Sequence, residues 1–310
     1  MMLKRRFLLS FAISGLLLVG GNGCGRSETG LLTFVPSDSA AILIVNWTSV
    51  KKDSELRSII KSVEFEAQMR RLGTESEAID EVVAFGASSS RAALLMRGKF
   101  DRQKIINHLE STGWSESAHD GPKMYVNASD FVSLPTRGVI IGGPREGVLA
   151  ALQTAKDSRE NINSAAAFRN IKDEMPAGKS PIMGFLIAPD GTLEMADAAL
   201  SVTAGAMSLF GIGEIGAILK KLNVASGAGF SIARGATSQK CAVNFCVVMR
   251  DEQTATIAAG ALSVMKNLST FVGNADDKEN LRNFSVTRRK KVLSIKMEIP
   301  SEALMPPDTR

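Results

Sequence analysis

The pattern of apolar and polar positions divides the chain into short strands and amphipathic helices. Apolar runs of strand length alternate with stretches in which apolar residues recur at helical spacing. In the first half this pattern predicts strands at 41–47, 79–88, 91–100, 123–134 and 138–143, and helices at 51–73, 101–113 and 144–157. In the second half it predicts strands at 181–189, 224–234 and 240–250, and a strand or hairpin over 283–300. It also predicts one long helix or two broken ones over 190–222, and a helix at 251–273.

Local signals support several helix ends. Asp101 is suited to cap the helix that follows it, and Gly113 is suited to end that helix. Gly73 ends the preceding helical stretch, and Pro144 suits the first turn of a helix because it has no N–H to leave unpaired.

Both halves follow the order strand–helix–strand–strand–helix–strand. In each half an apolar strand runs through a Met-Arg pair, 96–97 and 249–250, into a helix that begins with an acidic residue. This order is typical of a split βαβ unit. We therefore predict an α+β fold of two tandem ferredoxin-like repeats with antiparallel sheets. The predicted segments are a cleaved signal at 1–23, a tether at 24–30, the first repeat at 31–156, a linker with a docking helix at 157–180, the second repeat at 181–300 and a tail at 301–310.

The N-terminus has the order of an export signal. Three cations at 4–6 precede an apolar run over 7–19, and small or turn-forming residues at 20–23 follow it. The run breaks into glycines well short of the roughly 20 apolar residues that a spanning helix needs. The sequence therefore predicts that the mature protein is exported.

Cys24 follows the small residues directly, and the stretch resembles a bacterial lipoprotein signal. Gly23 fits the position before the acylated cysteine. The pattern has an aliphatic residue three positions before the cysteine, whereas Val19 lies five positions before Cys24. The resemblance implies a lipidation site at Cys24 that carries fatty acyl chains such as palmitate. The alternative is ordinary cleavage near Gly21 or Gly23, which would release a soluble protein.

The resemblance also implies where in the cell the protein is located. A glycine directly after the cysteine, here Gly25, resembles the sequence of lipoproteins that reside at the outer membrane. We therefore expect a periplasm-facing protein that contacts the membrane through the lipid. The body resembles uncharacterised exported bacterial proteins that carry a Val-Pro lead-in, here Val35 and Pro36 followed by Ser37. That likeness transfers no site. We expect a binding or assembly role, with an envelope protein as a possible partner class.

Charge and aromatic content argue against nucleic acid as a partner. The net charge of +5 includes the three cations at 4–6, so removal of the signal leaves +2. Tyrosine and tryptophan are scarce, so stacking platforms for single strands are not evident. The aromatic side chains of these two types are Trp47, Trp114 and Tyr125.

The sequence nominates no catalytic, cofactor or metal site. His108 lies on an amphipathic helix and His119 in a turn, without a serine elbow beside either. The glycines of 210–216 have dinucleotide spacing, but they lack a preceding strand and a following acid. Neighbouring carboxylates at 75 and 77, and at 276 and 277, are most simply explained by solvation. A hydrolase with a site assembled from distant residues is the least favoured alternative.

Two cysteines remain in the body, Cys241 and Cys246. Residues five apart on a strand point to opposite faces, so these two cannot bridge one another. We predict that they are small buried apolar residues.

Two further stretches allow alternatives. The segment 198–219 is apolar on nearly every helical face, which indicates a core helix or one wall of a cavity in a carrier of an apolar ligand. The basic run 288–291 indicates a hairpin turn or charged sheet edge, or else a contact with anionic headgroups or polymers.

Overall fold

The computed structural model describes residues 30–54, 56–57, 63–87, 90–117, 123–157, 161–175, 180–187, 225–237, 239–269 and 284–301. These residues form two compact units, with Ala165 in unit 1 and Ala166 in unit 2. Within the described residues, no helix combines the length and the hydropathy that crossing a bilayer requires.

Unit 1 contains seven strands and four α-helices among its described residues. The strands are β1 (Ala41–Val45), β2 (Ile79–Gly86), β3 (Ala92–Gly98), β4 (Ser115–Glu116), β5 (Met124–Asn127), β6 (Asp130–Ser133) and β7 (Val139–Gly143). The helices are α1 (Trp47–Lys52), α2 (Val63–Arg71), α3 (Arg102–Ser111) and α4 (Arg145–Lys156). Short 3-10 helices occupy Leu31–Phe34, Ser76–Ala78 and Ile162–Ser164.

The sheet of unit 1 has the strand order β1-β2-β3-β7-β6-β5-β4, and each neighbouring pair is antiparallel. On one face, Leu95 of β3 lies opposite Val83 of β2 and Ile141 of β7. Leu94 and Met96 point to the other face, because side chains alternate along a strand. All five side chains are buried, so both faces of the central strands are covered.

Capping side chains set the helix boundaries in unit 1. The Asp101 carboxylate accepts hydrogen bonds from the backbone N–H groups of Gln103 and Lys104, and Gly113 has a φ of +85° just beyond α3. The predicted cap and stop of α3 are confirmed. Upstream, the Asn46 side chain accepts from the Ser49 N–H. This cap starts α1 inside the predicted strand 41–47, so β1 ends earlier than the sequence pattern suggested.

Unit 2 contains two α-helices and five strands among its described residues. They are α5 (Ala166–Asp173), β8 (Ile182–Ile187), β9 (Ala225–Arg234), β10 (Lys240–Met249), α6 (Glu252–Ser269), β11 (Ser285–Arg289) and β12 (Val292–Pro300). The strand order is β8-β9-β10-β12-β11, again with antiparallel pairs throughout.

Helix α5 packs into the core of unit 2. Phe168 and Ile171 are fully buried, and the Phe168 ring lies 4.8 Å from the ring of Phe185 on β8. A Cβ atom at Gly227 or Gly229 of β9 would come within 2.8 Å or 2.6 Å of the Ile171 side chain. These glycines therefore let the helix approach the sheet closely. The segment predicted as linker thus contains a helix that belongs to a core.

A mixed α+β fold with antiparallel sheets is confirmed, but ferredoxin-like repeats are not. A ferredoxin-like unit has its first and third strands adjacent and parallel, whereas β2 lies between β1 and β3 here and pairs antiparallel with both. The reason is that strand partners are chosen by non-local packing, which the order of elements along the chain does not encode. The two units share a different order: β1-β2-β3-β7-β6 corresponds to β8-β9-β10-β12-β11.

Candidate functional site

The predicted candidates for acid–base or metal chemistry do not come together among the described residues. His108 is half-buried on α3, where a side chain added at Gly73 would collide with its ring. It therefore serves to pack α3 against the end of α2. The described residues contain no group of histidine, cysteine and carboxylate side chains that could hold a metal ion. His119, the glycines of 210–216 and the carboxylates at 276 and 277 lie outside the described residues.

The two body cysteines are buried on β10, as predicted. Cys241 and Cys246 are each 1% exposed, and no disulfide joins them. Burial raises the pKa of the Cys246 thiol to about 12, and the nearby Glu174 carboxylate adds to this shift. A thiol with that pKa stays protonated near neutral pH and is a poor nucleophile or ligand.

Two of the charged stretches named from the sequence have ion-pair partners among the described residues. Glu77 pairs with Arg57 at 2.6 Å on the surface. The basic run 288–291 spans the turn of the β11–β12 hairpin, where Lys290 has a φ of +51°, and Arg289 lies 3.5 Å from Glu174. The hairpin interpretation of this run is confirmed, and β11 lies at the edge of the unit 2 strand order.

A partly buried ion pair lies on the sheet of unit 1. Arg97 Nη2 lies 2.8 Å from Glu81 Oε2, and the two residues face each other across β2 and β3. Burial raises the pKa of the Glu81 carboxyl, while the Arg97 guanidinium acts in the opposite direction. A side chain at Gly30 would collide with Arg97. The end of the predicted tether therefore packs directly against this pair, which points to a structural role.

The strongest candidate for a binding site is an apolar pocket in unit 1 that the sequence did not indicate. Its floor is the backbone of Gly142 on β7. In the sheet register Gly142 pairs with Leu94 of β3 on one side and with Val132 of β6 on the other. The two outer positions carry aliphatic side chains, and Gly142 between them carries no side chain. The missing side chain leaves a hollow in the sheet surface.

The walls of this hollow are formed by Met69 of α2, by Leu72 just beyond α2, and by Trp114 just beyond α3. We call it the Gly142 pocket; around Gly142 it is lined by Met69, Leu72, Leu94, Met96, Trp114 and Val132, and its volume is about 90 Å³. All six side chains are buried. Trp114 is held in place by its backbone N–H, which donates to the Leu109 carbonyl at 3.0 Å.

Polar side chains lie at the mouth of the Gly142 pocket. They are Gln68, Arg71 and Asp130, and Arg71 Nη2 lies 3.9 Å from Asp130 Oδ2. The Arg71 and Asp130 side chains are 46% and 35% exposed. The pocket is therefore apolar in its interior and polar, with balanced charge, where it meets solvent.

The backbone at Gly142 does not demand glycine. A Cβ atom at this position would meet nothing closer than the Phe131 carbonyl oxygen and Val132 Cγ2, each at 4.0 Å. The next residue differs, because Gly143 has a φ of +149° and a Cβ there would lie 2.8 Å from the Ala92 carbonyl oxygen. The backbone conformation thus requires glycine at position 143. At position 142 it does not, and the absence of a side chain leaves open space above the sheet.

Comparison with known proteins adds information on the fold. No protein-family model and no curated protein matches the chain. The structure of crystal form III of TP0453 is similar with a TM-score of 0.53 and 12% sequence identity, over 90% of this chain and 97% of that one. Crystal form I of TP0453 gives a TM-score of 0.51 and 14% identity, over 90% and 96%. At such identities the likeness concerns the fold alone.

Proposed function

We propose that this protein is a lipid-anchored lipoprotein of the cell envelope that binds an apolar group in the Gly142 pocket and performs no catalysis. The observation that carries the binding role is the hollow above Gly142, where neither backbone conformation nor a steric neighbour accounts for the missing side chain. Glycine inside a strand often marks a bulge, a tight bend, or a place where a ligand or another backbone comes close. The register of β7 with β3 and β6 has no bulge at Gly142.

The anchor is proposed from the sequence before Gly30. Fatty acyl chains on Cys24 contribute roughly 0.8 kcal/mol per buried methylene, and two or more chains hold a protein firmly to a bilayer. Residues 24–30 then form a short tether whose last residue, Gly30, contacts Arg97 of unit 1. In this proposal the protein faces the periplasm from the outer membrane, where the pocket meets apolar molecules or a protein partner of the envelope.

Membrane fractionation with labelled fatty acid tests the anchor. We expect label and membrane association in the wild type and in Cys241→Ser, a control that removes a buried thiol. Cys24→Ser should lose both while it is still exported. Equal label in Cys24→Ser and the wild type would refute acylation at this residue.

Ligand-observed NMR with benzene and cyclohexane tests the binding role. Both probes should bind the wild type, and Gly142→Val should weaken both because its side chain fills the hollow. Gly260→Ala is the control, since Gly260 has no atom within 4 Å of an added Cβ and lies on an exposed part of α6. If neither probe binds the wild type, the hollow is a packing defect and the binding role is wrong.

We further propose that the two units are diverged copies of one ancestral α+β unit. This proposal keeps the tandem duplication that the sequence predicted and gives up the ferredoxin-like strand order. The shared strand order supports it, as does the position of the two Met-Arg pairs at the ends of corresponding strands, β3 and β10. A helix follows each of these strands, α3 in unit 1 and α6 in unit 2.

A further inference from the structure

We propose that the Gly142 pocket selects a small molecule with one neutral aromatic ring and a hydrogen-bonding substituent, and that the ring lies on the Gly142 backbone. This inference rests on the proposed binding function and names the class of ligand. It makes Gly142 the residue that determines specificity, because any side chain at this position would take the place of the ring.

The floor of the pocket favours a flat ring. A glycine in a sheet exposes its peptide groups and weakens the strand, and an aromatic ring laid across it from a neighbouring strand restores the packing. At Gly142 the neighbours are Leu94 and Val132, which are both aliphatic. Phe131 of β6 also lines the pocket, but it pairs with Gly143. The two positions paired with Gly142 therefore supply no ring, and a ligand can supply one.

The walls favour an aromatic ring over a saturated one. Met69 and Met96 are completely buried and line the hollow, and thioether sulfurs make favourable contacts with ring edges. Trp114 also lines the hollow, and offset or edge-to-face contacts between two aromatic rings are favourable.

The size and the mouth of the pocket limit the ligand further. A cavity of about 150 Å³ encloses benzene, and this pocket of about 90 Å³ is open at its mouth. This smaller volume suits one ring with its edge directed to solvent better than a fused ring system. The charges of Arg71 and Asp130 balance at the mouth, so a hydroxyl or amine substituent fits there better than a charged group.

The test uses the full mature chain with ¹³C-methyl-labelled methionine, titrated with phenol and with its saturated counterpart cyclohexanol. Replacement by leucine assigns the Met69 and Met96 methyl resonances. We expect phenol to shift both resonances by its ring current, and to bind about two- to tenfold more tightly than cyclohexanol. Gly142→Val should weaken phenol binding by about tenfold or more, and Gly260→Ala should leave it unchanged.

Gly142→Ala provides a second variant that keeps the fold, because its Cβ has 4.0 Å of clearance. It should weaken phenol binding measurably. Equal affinity for phenol and cyclohexanol, with both lost in Gly142→Val, would overturn the aromatic preference and leave the apolar binding function intact. Phenol binding that leaves the Met69 and Met96 methyls unshifted would overturn the site. Absence of binding by any of the apolar probes would overturn the binding function as well.

Discussion

Two adjacent glycines should respond in opposite directions to the same substitution. Gly142→Ala adds a methyl group to an open hollow, and Gly143→Ala places one 2.8 Å from a carbonyl oxygen at a φ of +149°. Alanine at a compatible position stabilises by about 0.4–1 kcal/mol through the unfolded chain, and the buried methyl adds about 0.8 kcal/mol. We therefore expect Gly142→Ala to raise the free energy of unfolding of unit 1 by about 1–2 kcal/mol. Gly143→Ala should lower it by about 1–3 kcal/mol.

Tryptophan fluorescence during urea unfolding measures both effects. The chain has two tryptophans, Trp47 and Trp114, and both belong to unit 1. With an m-value of about 2 kcal/mol per molar urea, Gly142→Ala should move the midpoint up by about 0.5–1 M. A loss of stability in Gly142→Ala as large as that in Gly143→Ala would show that the hollow is absent and would refute the reasoning.

Three further predictions follow from local contacts. Asp101→Ala should destabilise unit 1 by about 1 kcal/mol in the same fluorescence assay, because α3 loses its cap; an unchanged midpoint would contradict the capping role. The raised pKa of Glu81 means that its contribution to stability is present below the ordinary glutamate pKa and is lost as the pH rises through the raised value. Relative to Glu81→Gln, the wild type should thus lose stability in urea titrations as the pH rises above 4.5, the ordinary value for glutamate, and a gain in stability over that rise would contradict the burial argument. Cys241 and Cys246 should react with a thiol reagent only in denaturant, since both are buried and the pKa of Cys246 is about 12; rapid labelling of the native chain would disprove this.

The sequence predicted those features that depend on neighbours along the chain. The cap at Asp101 and the stop at Gly113 are local hydrogen-bond and φ requirements, and both are confirmed. The burial of both Cys241 and Cys246 is typical of a continuous apolar strand that is covered on both faces. The β11–β12 hairpin at 288–291 was likewise predicted from its charges and flanking strands.

Features that depend on distant residues were not predictable. The sequence gives no signal that β2 separates β1 from β3, so the ferredoxin-like order was a reasonable but unconfirmed expectation. The Gly142 pocket was not predicted either, because a pair of glycines at the end of a strand normally indicates a turn. That explanation holds for Gly143, whereas the role of Gly142 emerges only once Leu94 and Val132 lie beside it.

A crystal of the wild-type protein under xenon pressure tests the central claim, a ligand-sized apolar hollow above Gly142, most directly. Xenon enters apolar cavities without needing a polar or aromatic partner. We predict xenon density over Gly142 between Met69, Met96 and Trp114, and its loss in Gly142→Val. A wild-type crystal in which side chains fill this space and xenon is absent would contradict the account.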